Sequence, residues 1–318
     1  MLPADTDAVM EAARILAAGG LVAFPTETVY GLGADATIGT AVARLYAAKG
    51  RPAFNPLIAH VADMAGARAL ATFDANAEKL ATAFWPGPLT LVLPKAPGCM
   101  VAELATAGLD SIAIRMPAHS VARDIIRALG HPVVAPSANR SGHVSPTTAA
   151  HVMADLRGSI DLILDGGPAP VGVESTIVAC LGSPQMLRPG GLPRADIERV
   201  LGHSVADAPP AAIDTDSPLA PGMLASHYAP KASMRLNAMD ARPGEALLAF
   251  GPPLAGAVRS LNLSATGDLV EAAANLFSHL RALDAAGAET IAVMPVPNDG
   301  LGEAINDRLA RAAAPRES

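Results

Sequence analysis

The stretch LVAFPTETVYGLG, residues 21–33, runs an apolar segment, LVAF (21–24), into Pro25, then into the polar triplet Thr26-Glu27-Thr28, then into Gly31 and Gly33. A short apolar run stopped by proline reads as a buried strand, and a polar, glycine-punctuated turn at a strand end is where open α/β sheets place ligands. The stretch fits neither common phosphate loop. A GxGxxG fingerprint requires a third glycine where Ala36 stands, and GxxxxGK[ST] requires a lysine that is absent. Taken alone it reads as a turn, in which Pro25 fixes φ and the hydroxyls bond nearby backbone.

Outward from this strand, the first 200 residues alternate helical and strand-like patterns, which predicts an α/β domain. Asp7 is the expected cap of a helix with the stripe Val9, Ala12, Ala13, Leu16 and Ala17, ended by Gly19-Gly20. Further helices are expected over 40–48 and 121–129. Strands are expected in NPLIAHV (55–61), WPGPLTLVLP (85–94), SIAIRMP (111–117), PVVAPS (132–137), IDLILDGG (160–167) and STIVAC (175–180). Residues 205–232 are rich in Pro, Ala and Asp without either period, which reads as a linker. The α/β rhythm then returns with EALLAFG, a helical pattern over 268–286, the strand TIAVMPV and a last helix over 302–313. The expected organisation is a catalytic domain over 1–204, a linker over 205–232 and a smaller α/β domain over 233–318.

Composition narrows the function. Aromatic residues are 3% of the 318 and the net charge is −7, so neither stacking platforms nor a basic surface is available for stable nucleic-acid binding. Cys99 and Cys180 belong to no CxxC pair, and the eight histidines form no HxH or HExxH spacing, so no protein-built metal site is expected. With no leader pattern and no long apolar run, the expectation is a soluble cytoplasmic protein without membrane contact.

Four polar clusters interrupt the apolar pattern. The first is the opening triplet with Tyr30. The second is AAKGRPAFNPL, where Lys49 and Arg51 follow a helix end. Cations there favour the helix dipole and are ordinarily solvated, but two of them confined between Gly50 and Pro52 also suit a polyphosphate. The third is Arg115, closing an apolar strand, placed either to snorkel or to receive a carboxylate. The fourth, APSANRSGHVSPTT, gathers Ser137, Asn139, Ser141, Ser145, Thr147 and Thr148; Ser145-Pro146-Thr147 reads as a helix N-cap with proline at the first helical position. His60, polar at the end of PLIAH, is the histidine that stands out. No GxSxG elbow is present.

Together these residues resemble the threonylcarbamoyl-AMP synthase family, built on the YrdC-like domain, in its long form. PTETVYGLG (25–33), KGRPAFNPL (49–57), SIAIRMP (111–117), PSANRSGHVSPTT (136–148), GVESTIV (172–178), LRPGG (187–191), PGMLASHYAP (221–230) and PNDGLGEAINDRLARAA (297–313) carry the resemblance in order along the chain. It implies an open twisted mixed sheet with flanking helices, followed by a linker and a smaller Rossmann-like α/β domain. It also implies a reaction joining L-threonine, bicarbonate or CO2, and ATP into threonylcarbamoyl-AMP with release of pyrophosphate, for modification of tRNA adenosine 37 by a downstream threonylcarbamoyltransferase. By the same matching, Lys49, Arg51, Ser137 and Asn139 are catalytic, and with Asn55, Ser111, Ser145, Arg188 and Tyr228 they hold ATP and its Mg2+. Thr28, His60, Arg115, Ala135 and Ser175 fall on the family's threonine site. The linker is the implied lid. Glu27 is left with two roles, orienting the loop or neutralising the substrate ammonium. The alternative is an RNA-binding or ribosome-assembly module on the same fold, against which the acidic balance weighs.

Overall fold

The computed structural model describes residues 1–208, 228–257 and 259–315. Up to residue 208 the strands are β1 (Leu2–Pro3), β2 (Val22–Phe24), β3 (Gly31–Asp35), β4 (Ile58–His60), β5 (Leu89–Pro94), β6 (Ser111–Arg115), β7 (Val133–Val134), β8 (Leu162–Asp165), β9 (Thr176–Ala179), β10 (Gln185–Arg188) and β11 (Ala206–Asp207). The α-helices between them are α1 (Thr6–Ala17), α2 (Gly39–Lys49), α3 (Met64–Leu70), α4 (Ala75–Phe84), α5 (Ser120–Leu129), α6 (Ala149–Leu156) and α7 (Arg194–Leu201). The strands form one mixed sheet in the order β1-β8-β2-β3-β7-β4-β6-β5-β9-β10-β11.

The opening stretch is a hairpin. β2 and β3 pair antiparallel, with Phe24 opposite Gly31 and Val22 opposite Gly33. The two glycines serve packing: a Cβ at Gly33 would lie 2.6 Å from the Phe24 ring, and one at Gly31 would lie 3.2 Å from the Ala135 Cβ. The turn expected there is confined to residues 25–30. Inside it, Thr26 Oγ1 donates to Val29 O (2.6 Å) and accepts from the Thr28 and Val29 amides (3.2 and 3.3 Å), so one hydroxyl fixes the loop.

Two helix starts differ from expectation. Asp5 caps α1, its Oδ1 accepting from Ala8 N at 2.9 Å, while Asp7 sits in the first turn and acts on the helix dipole alone. α6 begins at Ala149 and is capped by Thr148, whose Oγ1 accepts from His151 N at 3.3 Å. Ser145 is no cap, because its hydroxyl is committed to the Glu174 carboxylate.

Helices cover the sheet unequally. On one face α1 and α5 bury Val9, Ala12, Leu16, Ile125 and Ile126 against Phe24 and Leu164. On the other, Leu45, Leu80, Val152 and Ile197 bury Leu91, Ile114 and Val178. A third cluster, Ile58, Val92, Ala113, Ile177, Ala179, Leu187 and Ala208, contains no helical residue.

A second sheet is built from β12 (Ser233–Arg235), β13 (Ala246–Ala249), β14 (Arg259–Asn262) and β15 (Thr290–Val293), all parallel in the order β12-β15-β13-β14. It is completed by α8 (Leu269–Ala285), capped by Asp268, and α9 (Gly302–Ala313). Its core, including Leu248, Leu276, Phe277, Ile291 and Ile305, also takes in Val29, Val144 and Val173 from the first part of the chain. Of the expected linker, β11 adds a parallel strand to β10. Residues 209–227, with most of the expected lid and His227, lie outside the described residues.

Candidate active site

Along β6, Ser111, Ala113 and Arg115 share one face by the period of two. Cross-strand pairing sets His60 and Thr90 beside Arg115, Ile58 and Val92 beside Ala113, and Pro94 beside Ser111. This is the face whose apolar strip no helix contributes to. Ser111 lies four residues from Arg115, about 13 Å along the strand, so the two mark opposite ends of the strip.

At the Arg115 end the guanidinium is buried and fully oriented. Nε donates to Gly87 O (3.2 Å), Nη1 to Thr28 Oγ1 (2.9 Å) and Nη2 to Glu27 Oε1 (2.5 Å). Glu27 Oε2 accepts in turn from Ala118 N at 3.0 Å. Glu27 is thereby committed to Arg115 and the Ala118 amide, an arrangement distinct from the two roles left open for it. Burial alone would raise the Glu27 pKa, but the Arg115 charge and the Ala118 amide outweigh it and hold the carboxyl below the usual 4.5. Three of the five guanidinium N–H groups are used, leaving one on each terminal nitrogen.

His60, 2% exposed, bonds Ile58 O through Nδ1 at 3.2 Å. Burial, reinforced by the Arg115 charge, pulls its pKa from 6.5 down to about 3, so the ring is neutral. Because the unfolded chain takes up this proton near pH 6.5 and the folded one only near 3, stability is lost as pH falls through that window. The loss approaches on the order of 4 kcal/mol at its lower end. The urea midpoint of the parent chain should therefore fall more steeply between pH 6.5 and 4 than that of His60→Leu; parallel profiles would contradict the neutral, buried ring.

The second group gathers at the end of α2. Gly50 adopts the left-handed conformation (φ 60°) that ends the helix and turns Arg51 inward. Lys49 and Arg51 are only 4% and 8% exposed, so the solvated alternative fails. The Lys49 ammonium donates to the carbonyls of Ser137 and Asn139, joining the KGR and SAN segments directly. Arg51 donates to Asn55 O (3.4 Å) and Pro56 O (3.1 Å). Burial, reinforced by the Arg51 charge, drives the Lys49 pKa well below its ordinary value; burial likewise lowers Arg51 to about 10. The buried side-chain amide of Asn55 and the Oδ1 of Asn139 bond nothing among the described residues. Buried polar atoms seldom lack partners without cause, and these belong to residues whose backbone carbonyls accept from Lys49 and Arg51.

Ser175 joins the groups. Its Oγ meets Thr90 Oγ1 at 2.7 Å, while its carbonyl accepts from Arg188 Nη2 (2.9 Å) and Nε (3.2 Å). Tyr228, buried, acts electrostatically on both Arg51 and Arg188. Ala135 is buried with its amide on Ile58 O at 3.1 Å, and Ser137 is half-buried beside Gly31. The sequence-derived residues thus fall into two connected groups, with Ser111 set apart at the far end of the strip. Sequence reasoning missed Thr90 and Glu174. Of these, only Glu174, a charge inside the apolar run GVESTIV, carried a visible signal. Among the described residues no group of three His, Cys, Asp or Glu is placed to hold a metal, and no helix is long and apolar enough to cross a membrane.

Residues 14–190 match the Sua5/YciO/YrdC family model, described as Telomere recombination, and residues 192–314 match the model described as Threonylcarbamoyl-AMP synthase, C-terminal domain. The threonylcarbamoyl-AMP synthase of Pyrococcus abyssi is 43% identical, the alignment covering 96% of this chain and 94% of the relative. That of Bacillus subtilis is 40% identical, with 97% and 93% covered. The crystal structure of P. abyssi Sua5 complexed with L-threonine is similar with a TM-score of 0.88 and 42% identity, over 96% of this chain and 94% of that one. The chain belongs to the threonylcarbamoyl-AMP synthase family, in the form that carries the C-terminal domain.

Proposed function

We propose that the chain is an L-threonylcarbamoyladenylate synthase, converting L-threonine, bicarbonate or CO2, and ATP into threonylcarbamoyl-AMP and pyrophosphate. The observation that carries this is the junction at Ser175, where a single residue contacts both Arg188 of the cationic group and Thr90 beside Arg115. One end offers a fixed guanidinium with two N–H groups that bond nothing among the described residues, suited to an amino-acid carboxylate. The other offers Lys49, Arg51 and Arg188 together with the Asn55 side-chain amide, which has no partner among the described residues, suited to a triphosphate that brings its own Mg2+. Thr28, His60, Ala135 and Ser175 complete the threonine pocket; Ser137, Ser145 and Tyr228 line the nucleotide, with Ser111 at the adenosine end.

The chemistry needs no enzyme-bound covalent intermediate. The free threonine amine attacks CO2 and loses a proton, giving a carbamate. A carbamate oxygen then attacks the α-phosphorus, and the bond to the β-phosphate oxygen breaks as pyrophosphate leaves. The residues contribute positioning and fixed charge: Arg115 holds the carboxylate, and the three buried cations offset charge building on the phosphates. Burial makes each of these charges count for more than it would in water. The labile product passes, in this reading, to a cytoplasmic threonylcarbamoyltransferase acting on tRNA adenosine 37. The test is pyrophosphate release with threonine, bicarbonate and ATP omitted in turn. A requirement for all three is expected; release without threonine would overturn the assignment.

A further inference from the structure

Arg308 is an arginine in the wrong place for a surface helix. It occupies the buried stripe of α9 with Ala304, Ile305, Leu309 and Ala312, and is fully buried. A desolvated guanidinium requires compensation, and most of it comes from the first part of the chain. Nε donates to Glu174 Oε2 at 2.7 Å, Nη2 donates to Pro189 O at 3.1 Å, and Nη1 donates to its neighbour Asp307 at 2.5 Å. The guanidinium carbon lies 5.0 Å from the Tyr228 ring centroid, and that ring stacks on Phe277 at 5.7 Å.

Three of these contacts, those to Glu174, Pro189 and Tyr228, lead to nucleotide residues. Glu174 accepts the Ser145 hydroxyl on its other oxygen. Pro189 follows Arg188, and Tyr228 is itself one of the set. From this we infer that Arg308 is a positioning residue for ATP: the C-terminal unit reaches through α9 to set Ser145, Arg188 and Tyr228 at once, while among the described residues Arg308 itself bonds none of the threonine pocket. Arg194 and Glu303 make a separate bridge between the two parts of the chain, at 2.5 Å, and among the described residues neither bonds Ser145, Arg188 or Tyr228. That pair allows a simple weakening of the contact to be told apart from loss of positioning.

The inference rests on the synthase reading above. Its test uses the full-length chain, measuring pyrophosphate release with ATP varied at saturating threonine and then the reverse. Arg308→Met, apolar on an apolar stripe, should raise the ATP KM at least tenfold and leave the threonine KM within twofold. Arg308→Lys, which keeps the charge but loses the fork, should fall between. Glu303→Gln should change neither. On a Glu174→Gln background Arg308→Met should add little, since both act through one link. An ATP KM within twofold of the parent, or both KM values rising together, would overturn the inference. If the Met variant does not fold, the Lys variant carries the same comparison, with an unchanged ATP KM overturning it. A parent chain without threonine-dependent release would instead overturn the synthase reading.

Discussion

Lys49→Ala should lower pyrophosphate release by about a thousandfold or more, the scale of removing a fixed charge aimed at a developing one, while threonine still binds. The reason is where the ammonium sits. It is buried and tied to the carbonyls of Ser137 and Asn139, so it is already in place before any substrate arrives. Deleting it removes a fixed charge and also strips two buried carbonyls of their donor, at about 1–3 kcal/mol for each group left unpaired. The variant should therefore melt earlier as well as turn over more slowly. None of its bonds goes to Thr28, Arg115 or Ser175, so threonine titrated by calorimetry should show near-parent affinity. Lys49→Arg should not restore activity, because a planar fork cannot fill a two-carbonyl cage shaped for a compact ammonium. Turnover within tenfold of the parent in Lys49→Ala would remove the residue from the catalytic set.

The sequence exposed those parts of the site that local pattern controls. The LVAF strand, the cations at the end of α2 and the arginine closing β6 all stand where runs of apolar residues stop. β3 was hidden because GLGAD has two glycines and little β-propensity, and its strand character comes from the ring of Phe24 across the pair. The misplaced cap at Ser145 has a different cause. A serine before proline reads as a cap only while its hydroxyl is free, and here a glutamate 29 residues away claims it. The ion pairs Arg115 to Glu27 and Arg308 to Glu174 span 88 and 134 residues, separations on which no period reports. A charge on an apolar stripe was the readable sign in α9, yet the stripe shows only that a partner must exist.

Glu27→Ala should cost about 3–5 kcal/mol of stability, the usual consequence of leaving one member of a buried ion pair alone, and should raise the threonine KM without raising that for ATP. Arg115 is held on three sides, and Glu27 supplies the sole charged hold among the described residues. Without it the guanidinium keeps Thr28 and Gly87, but its charge is unopposed and its fork is free to turn. Added threonine, bound more weakly by a misdirected guanidinium, should then raise the melting temperature of the variant less than that of the parent. The pH dependence follows from the same pair. The folded carboxyl titrates below its ordinary value of 4.5, so the unfolded chain binds the proton first. The stabilisation is complete above the ordinary value and is lost as pH falls from there through the folded one. In Glu27→Gln, which fills the space but never ionises, the urea midpoint should lack that acid-limb contribution and already be low at pH 7. Midpoints for Gln and parent that coincide at pH 7, or KM values for threonine and ATP that rise in step, would show that the triplet merely shapes the loop. The geometry argues otherwise, because consecutive residues share the guanidinium, Thr28 on Nη1 and Glu27 on Nη2 and on the Ala118 amide. A glycine-rich phosphate loop at this strand end would have supplied amides; the triplet supplies an anion that holds a buried cation in place.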